Sequence, residues 1–174
     1  AMARVQLANK RPDIAKVLLE RLSTAAGYNT SRLMQIANLQ VYAGALDAAA
    51  WSLKKAVDSD TSHVPAHVEL IATLIRLERY DAAMAAAEAL RAAAPDKAAS
   101  FGALGEVLAA TSRHDEALEQ FRKAHELGAN ELTATKFALA QGRVNQVVAD
   151  DWLTQWVKGN PEHRLARRML AERM

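Results

Sequence analysis

Cysteine is absent from this chain of 174 residues, and several other residue types are scarce. Without cysteine the protein can form no disulfide framework, no thiolate-bound zinc site and no cysteine nucleophile. Only four prolines and seven glycines are present to interrupt helices, and aromatic residues make up 5% of the chain. No apolar run approaches the 18 or so residues that a membrane-spanning helix needs, so we expect no direct membrane insertion by this segment.

A large excess of charge of either sign is also lacking. The 22 basic and 20 acidic residues leave a net charge of +2, without the positive excess of proteins that bind nucleic acid through its phosphates. We therefore expect no nucleic-acid partner. Apolar residues make up 51% of the chain, and many of them are alanine and leucine, which favour helices throughout.

An internal repeat organises the chain. Four aspartates recur at one constant interval: Asp13, Asp47, Asp81 and Asp115. Four alanines follow them at the same interval: Ala15, Ala49, Ala83 and Ala117. A period of about 34 residues, built from two amphipathic helices, predicts an all-α solenoid of stacked helical hairpins, whose surface normally binds a partner.

The clearest unit spans residues 98–131. Its first helix places four residues on one face, at i, i+3, i+4 and i+7: Phe101, Leu104, Gly105 and Leu108. Its second helix carries a smaller set: Ala117, Phe121 and Ala124. The small residues Gly105 and Ala117 predict the points where the paired helices come closest.

This unit resembles the tetratricopeptide repeat (TPR), with its large–large–small–large first helix and its small–aromatic–small second helix. The resemblance implies a right-handed superhelix. We predict one array of units at about 1–29, 30–63, 64–97 and 98–131, a degenerate unit at 132–161 and a terminal helix at 162–174. Gly142 is predicted to mark the turn of the degenerate unit, and Leu165, Ala166, Met169 and Leu170 one side of the terminal helix. Because the array starts inside one first helix and stops after another, we expect a segment of a longer repeat protein; the alternative is that the last helix is a solvating cap of the array.

Sites of chemistry are not indicated, so we expect neither an enzyme nor a cofactor. His63 and His67 are four residues apart, but Pro65 lies between them, and two solvent-facing histidines are favoured over a metal pair. No phosphate-cradling glycine loop is present. The arginines of the final helix favour a solvated face over a site for an anionic ligand.

The tryptophans give two different expectations. Trp152 and Trp156 are one helical turn apart, which is typical of a core stripe. Trp51 falls off the packing face of its helix, so it is either exposed or packed against a neighbouring array.

The TPR resemblance also implies a concave groove lined by the first helices. Carried onto this chain, the partner-binding residues are Met34, Gln35, Asn38, Tyr42, Glu69, Ile75, Arg76, Glu106 and Lys136. This mixed surface suits an extended or helical peptide. A carboxylate clamp of the co-chaperone type is disfavoured, because Met34 and Glu69 stand where a lysine and an asparagine are needed. Glu69 and Glu106 would repel an acidic peptide.

Residues 142–170 resemble the C-terminal units of bacterial TPR lipoproteins of the PEP-CTERM/exosortase systems, through Trp156, the Asn160–Pro161 pair and Arg164. This resemblance implies a periplasmic, outer-membrane-anchored parent protein linked to exopolysaccharide production and protein sorting; otherwise we expect a cytoplasmic protein. The leading hypothesis is a non-enzymatic scaffold that binds a protein or peptide. Self-association into a homo-oligomer, through an uncapped end or through Trp51 and Trp152, and carbohydrate binding remain alternatives.

Overall fold

The structure, a computed structural model, describes residues 3, 6 and 11–173. Over residues 11–173 the chain forms ten α-helices and no strand. They are α1 (Pro12–Ala25), α2 (Thr30–Tyr42), α3 (Leu46–Ser59), α4 (Val64–Arg76), α5 (Tyr80–Ala93), α6 (Ala98–Ala110), α7 (His114–Leu127), α8 (Glu131–Val144), α9 (Gln146–Gly159) and α10 (Arg164–Ala171). The all-α prediction is confirmed. A helix before α1 was also predicted, but it falls on residues 1–10 and lies outside the described part, apart from residues 3 and 6.

The chain divides into two compact units, Ala1–Ala93 and Ala94–Met174. In the first unit α1 packs on α2, α2 on α3, α3 on α4, and α4 on α5. In the second unit α6 packs on α7, α7 on α8, and α8 on α9, while α10 contacts both α8 and α9. Each unit is therefore a series of antiparallel helical hairpins, in which every helix is covered by its neighbours along the chain.

Three turns repeat the same backbone conformation at the same interval. Gly44, Glu78 and Ser112 are spaced like the four aspartates, and all three have positive φ, at 71°, 57° and 61°. Only glycine adopts this left-handed conformation without steric cost, so Glu78 and Ser112 hold it because the packed helices on either side require it. The period of the sequence is thus a period of the backbone.

Side-chain volume is compensated across each hairpin. The first and second helices of successive hairpins present these buried pairs at equivalent positions: Ala37 with Leu53, Ile71 with Ala87, and Gly105 with Phe121. In each pair one residue is large and the other small. A Cβ added at Gly105 would lie 2.9 Å from the ring of Phe121, so helices α6 and α7 pack closely at this position.

Helix starts follow capping chemistry. The side chain of Asn29 accepts a hydrogen bond from the backbone N–H of Arg32, at 2.9 Å, and starts α2. Asn130 and Thr133 form a reciprocal capping box at the start of α8. Asn145 accepts from the N–H of Val148 and starts α9.

Two local predictions near the end of the chain are wrong. Gly142 lies inside α8 and not in a turn, and Asn145 alone connects α8 to α9. In α10, Ala166 is fully buried and Met169 and Leu170 pack beside it, as predicted, but Leu165 is 48% exposed. Among the eight residues of α10, Ala166 alone is buried.

Candidate protein-binding surface

In the first unit, α2 presents three of the predicted binding residues on one exposed face. Its buried face consists of Leu33, Ile36, Ala37 and Gln40. At 100° per residue, Gln35, Asn38 and Tyr42 lie on the opposite side of the helix, and all three are exposed. Tyr42 is 76% exposed, which is a large fraction for an aromatic side chain.

The next first helix, α4, repeats this arrangement. Glu69 and Arg76 occupy the positions equivalent to Gln35 and Tyr42 in the following repeat and are likewise exposed. Met34 on α2 and Ile75 on α4 are half-buried at the edge of the same surface. Because α2 also contacts α4, these residues lie on the exposed faces of two adjacent helices. We call it the first-helix surface: Met34, Gln35, Asn38, Tyr42, Glu69, Ile75 and Arg76.

The other two predicted residues belong to the second unit and are bonded to each other. The Nζ atom of Lys136 on α8 forms an ion pair with Glu106 on α6, and the pair lines a hollow of about 470 Å³ that Leu139 and Arg143 also line. Because Lys136 neutralises Glu106, that carboxylate repels an acidic peptide less than its position in the sequence suggests. The two partners lie on either side of the change of period, so the repeat pattern did not indicate the pair.

The two neighbouring histidines differ in their surroundings. His63 lies at the start of α4, where its Nδ1 accepts a hydrogen bond from the N–H of Ala66 at 3.1 Å. His67 is 3% exposed, and its Nε2 lies 3.0 Å from the carbonyl oxygen of Thr61. The expectation that both face solvent is therefore wrong for His67, which packs beneath α3 and α5. Over the described residues, no cluster of three or more histidines and carboxylates could hold a metal.

The helices do not meet the requirements of a membrane span. None of those in the described part of the chain is both long enough and apolar enough to cross a bilayer. The longest of them have 14 residues, which is about 21 Å.

An aromatic cluster in the second unit joins α7, α8 and α9. Trp152 and Trp156 stack with ring centroids 5.6 Å apart, and the imidazole of His125 lies edge-on to them at 5.4 and 4.7 Å. Phe137 contacts Trp152 at 4.8 Å. The two tryptophans are half-buried, as a core stripe at the edge of a small unit requires. Sequence reasoning paired the tryptophans but did not place His125 among them, since the whole of α8 separates it from them along the chain.

His125 should make the stability of the second unit depend on pH. Burial among these rings lowers the pKa of His125, against a weaker opposing effect of Glu126, so folding favours the neutral imidazole. As the pH falls below the ordinary value of 6.5, the unfolded chain binds a proton that the folded chain resists. We expect the urea midpoint to fall between pH 7.5 and pH 5.5, and to fall less in His125→Gln. An equal fall in both proteins would contradict this role of His125.

Comparison with known proteins agrees with this architecture. A sequence model of the bacterial transcriptional activator domain family matches residues 20–138. A thermophilic TPR protein of Thermus thermophilus superimposes with a TM-score of 0.73 at 18% identity, over 98% of this chain and 94% of that one. MamA from Desulfovibrio magneticus gives 0.67 at 19% identity, over 94% and 93%. YrrB, a TPR protein with an unusual peptide-binding site, gives 0.62 at 17% identity, over 99% and 89%.

These likenesses show the fold, an all-α solenoid of TPR-type hairpins. No curated protein sequence matches the chain. The assignment of binding residues therefore rests on the geometry of this molecule.

Proposed function

The chain belongs to the bacterial transcriptional activator domain family, and on that premise we propose that it is a non-enzymatic scaffold that binds a protein or peptide on its first-helix surface. TPR-type folds support a protein-interaction role of this kind. The observation that carries the proposal is Tyr42, an aromatic side chain left 76% exposed beside Asn38 on one face and Arg76 on the next. Tyrosine and arginine, together with tryptophan, are the residue types enriched among those that dominate binding energy at interfaces.

The chemistry of the surface suits a peptide segment. Amide groups on Gln35 and Asn38 can both donate and accept hydrogen bonds, which matches the N–H and C=O groups of an extended backbone. Met34 and Ile75 offer apolar contact at the edge. Glu69 and Arg76 are of opposite sign, so neither a strongly acidic nor a strongly basic segment is favoured.

The pathway and compartment are two further proposals. The family match favours a partner in transcription control and hence a cytoplasmic protein. The narrower alternative, a periplasmic or outer-membrane-anchored component of a PEP-CTERM system, is supported by the resemblance of residues 142–170 alone. Fractionation of the native host with an antibody to the chain distinguishes the two, since recovery with the envelope would contradict the first and recovery in the cytosol the second.

Self-association is the second candidate function, because Trp51 is 51% exposed. Trp152 supports it less, since it is half-buried in the aromatic cluster. Sedimentation over a range of concentrations tests this candidate. A monomer at every concentration would remove it. For carbohydrate binding, no observation beyond the exposed aromatic side chains argues in its favour.

The scaffold is tested with the double variant Tyr42→Ala/Arg76→Ala. We expect the folded chain to capture a partner from host lysate and envelope fractions, and the double variant to capture it about tenfold less well, because two dominant contacts are lost. A matched control removes the same residue types elsewhere in the first unit, as Tyr28→Ala/Arg21→Ala, both exposed positions. Equal capture by the two double variants would contradict the first-helix surface as the binding site.

A further inference from the structure

A second surface of the first unit, distinct from the first-helix surface, is an open groove of about 790 Å³ between α3 and α5. Its floor is formed by His67, Leu70 and Leu74 of α4. At 100° per residue these three lie on the side of α4 opposite to Glu69 and Arg76, so one helix separates the two surfaces.

The walls of the groove are two helix faces that lie side by side. The α3 wall is lined by Asp47, Ala50, Trp51, Lys54, Val57 and Asp58. The α5 wall is lined by Ala82, Ala85, Ala86, Ala89 and Ala93. Spacings of three and four residues place each set on one face, and each face runs for about three turns, or roughly 16 Å. Methyl groups on one whole wall allow another helix axis to approach closely.

An aromatic side chain shows that this groove is more than a stripe of alanines. Trp51 is 51% exposed on the α3 wall, with the Nζ atom of Lys55 5.0 Å from its ring centroid. In the floor, His67 is only 3% exposed, and its Nε2 lies 3.0 Å from the carbonyl oxygen of Thr61.

The charges at the groove cancel in pairs. Arg79 bonds Asp47 at 2.5 Å across one end, and Lys54 bonds Asp58 at 2.5 Å along the α3 wall. All four charged residues of the lining are thus paired, and its net charge is zero. A charged group entering the groove would lose its water without gaining a partner. The complementary occupant presents an uncharged, apolar face.

The conformation of the occupant follows from its backbone. An extended segment would bring N–H and C=O groups against a wall of methyl groups, where they could not form hydrogen bonds. A helix satisfies these groups internally and presents only side chains. The length of the walls matches about three turns of such a helix.

We propose that the groove between α3 and α5 is a docking site for an amphipathic helix of a partner protein, about three turns long, whose apolar face carries no charge. This site is independent of the first-helix surface and of the function proposed for it. One chain could therefore hold two partners at once, on opposite sides of α4.

The probe is a fluorescein-labelled synthetic peptide of about four helical turns, with leucines on one face and balanced lysine and glutamate on the other. A scrambled peptide of the same composition, in which the leucines share no face, is the control. We expect fluorescence anisotropy to report binding of the amphipathic peptide and about tenfold weaker binding of the scrambled one. Equal binding of the two peptides would overturn the proposal.

Matched variants locate the peptide. Ala89 and Ala92 are both exposed on α5, but only Ala89 lines the groove. We expect Ala89→Glu to weaken binding at least about tenfold, because it places a charge among the methyl groups, and Ala92→Glu to leave it unchanged. The Tyr42→Ala/Arg76→Ala protein should bind the probe normally, whatever its effect on the other surface. Equal affinities of the two glutamate variants would overturn the assignment.

A second copy of the chain is the rival occupant. Sedimentation of the wild-type protein without peptide tests it. A concentration-dependent dimer that Ala89→Glu abolishes, together with no peptide binding, would overturn the proposal and assign the groove to a homodimer. A monomer that binds the amphipathic peptide supports the proposal as stated.

Discussion

Replacing Leu153 with alanine is expected to lower the free energy of unfolding of the second unit by about 2–5 kcal/mol. Leu153 is fully buried on α9, and its buried neighbours on α8 and α10 are Ala138 and Ala166. Neither alanine can fill the space that the leucine leaves, so closing the cavity would require the half-buried side chains packed against this cluster to move: Trp152, Trp156, Val157, Met169 and Leu170. The lost burial and the remaining cavity both contribute to the cost.

Urea unfolding followed by tryptophan fluorescence measures this effect, since Trp152 and Trp156 pack against the same cluster. The control is Leu132→Ala on α8, where the side chain is 58% exposed. That variant should change the stability by no more than about 0.5 kcal/mol. If both variants unfolded at the same urea concentration as the wild-type protein, Leu153 of α9 would not be the core residue described here.

The repeat made most of the fold predictable. A single helical hairpin cannot bury its own apolar face, so each unit must match the next, and the match appears as a period in the sequence. The three positive-φ turns at Gly44, Glu78 and Ser112 show how strongly this constraint acts. Only one of these three residues is a glycine, so composition alone would not have located the turns. The constant interval between them identifies the three as equivalent turns.

Gly142 shows where such reasoning failed. A glycine near the expected end of a helix is read as a turn, but glycine also serves where two helices approach closely. A Cβ at Gly142 would lie 2.9 Å from Oε1 of Gln146, the end of a flexible side chain, and 3.7 Å from the Cβ of Ala149, an ordinary contact distance, both on the next helix. Gly142 therefore lies inside α8 facing α9 and does not reverse the chain. Sequence alone does not distinguish the two uses.

The two candidate surfaces also differ in how far they could be predicted from the sequence. Positions on the first-helix surface could be predicted, because the phase of the buried residues fixes which side of α2 and α4 is exposed. The groove between α3 and α5 could not be predicted, because the sequence pattern does not distinguish an exposed alanine from an alanine in the apolar core. Its lining combines exposed alanines of the α5 wall, such as Ala85 and Ala89, with the buried floor residue His67. Only the packing of three helices brings these residues together.

Replacing Gly105 with valine is expected to destabilise the second unit by about 1–3 kcal/mol, although glycine is the weaker helix former. Even a single added Cβ would lie 2.9–3.0 Å from three ring atoms of Phe121, which is 5% exposed and so has little space to move. The control is Gly102→Val on the same helix, where an added Cβ meets nothing within 4 Å. In urea unfolding we expect Gly102→Val to leave stability unchanged or slightly raised, and Gly105→Val to lower it. Equal stability of the two variants would mean that α6 and α7 do not meet at Gly105 and Phe121, and the equivalence of Ala37–Leu53, Ile71–Ala87 and Gly105–Phe121 would lose its physical basis.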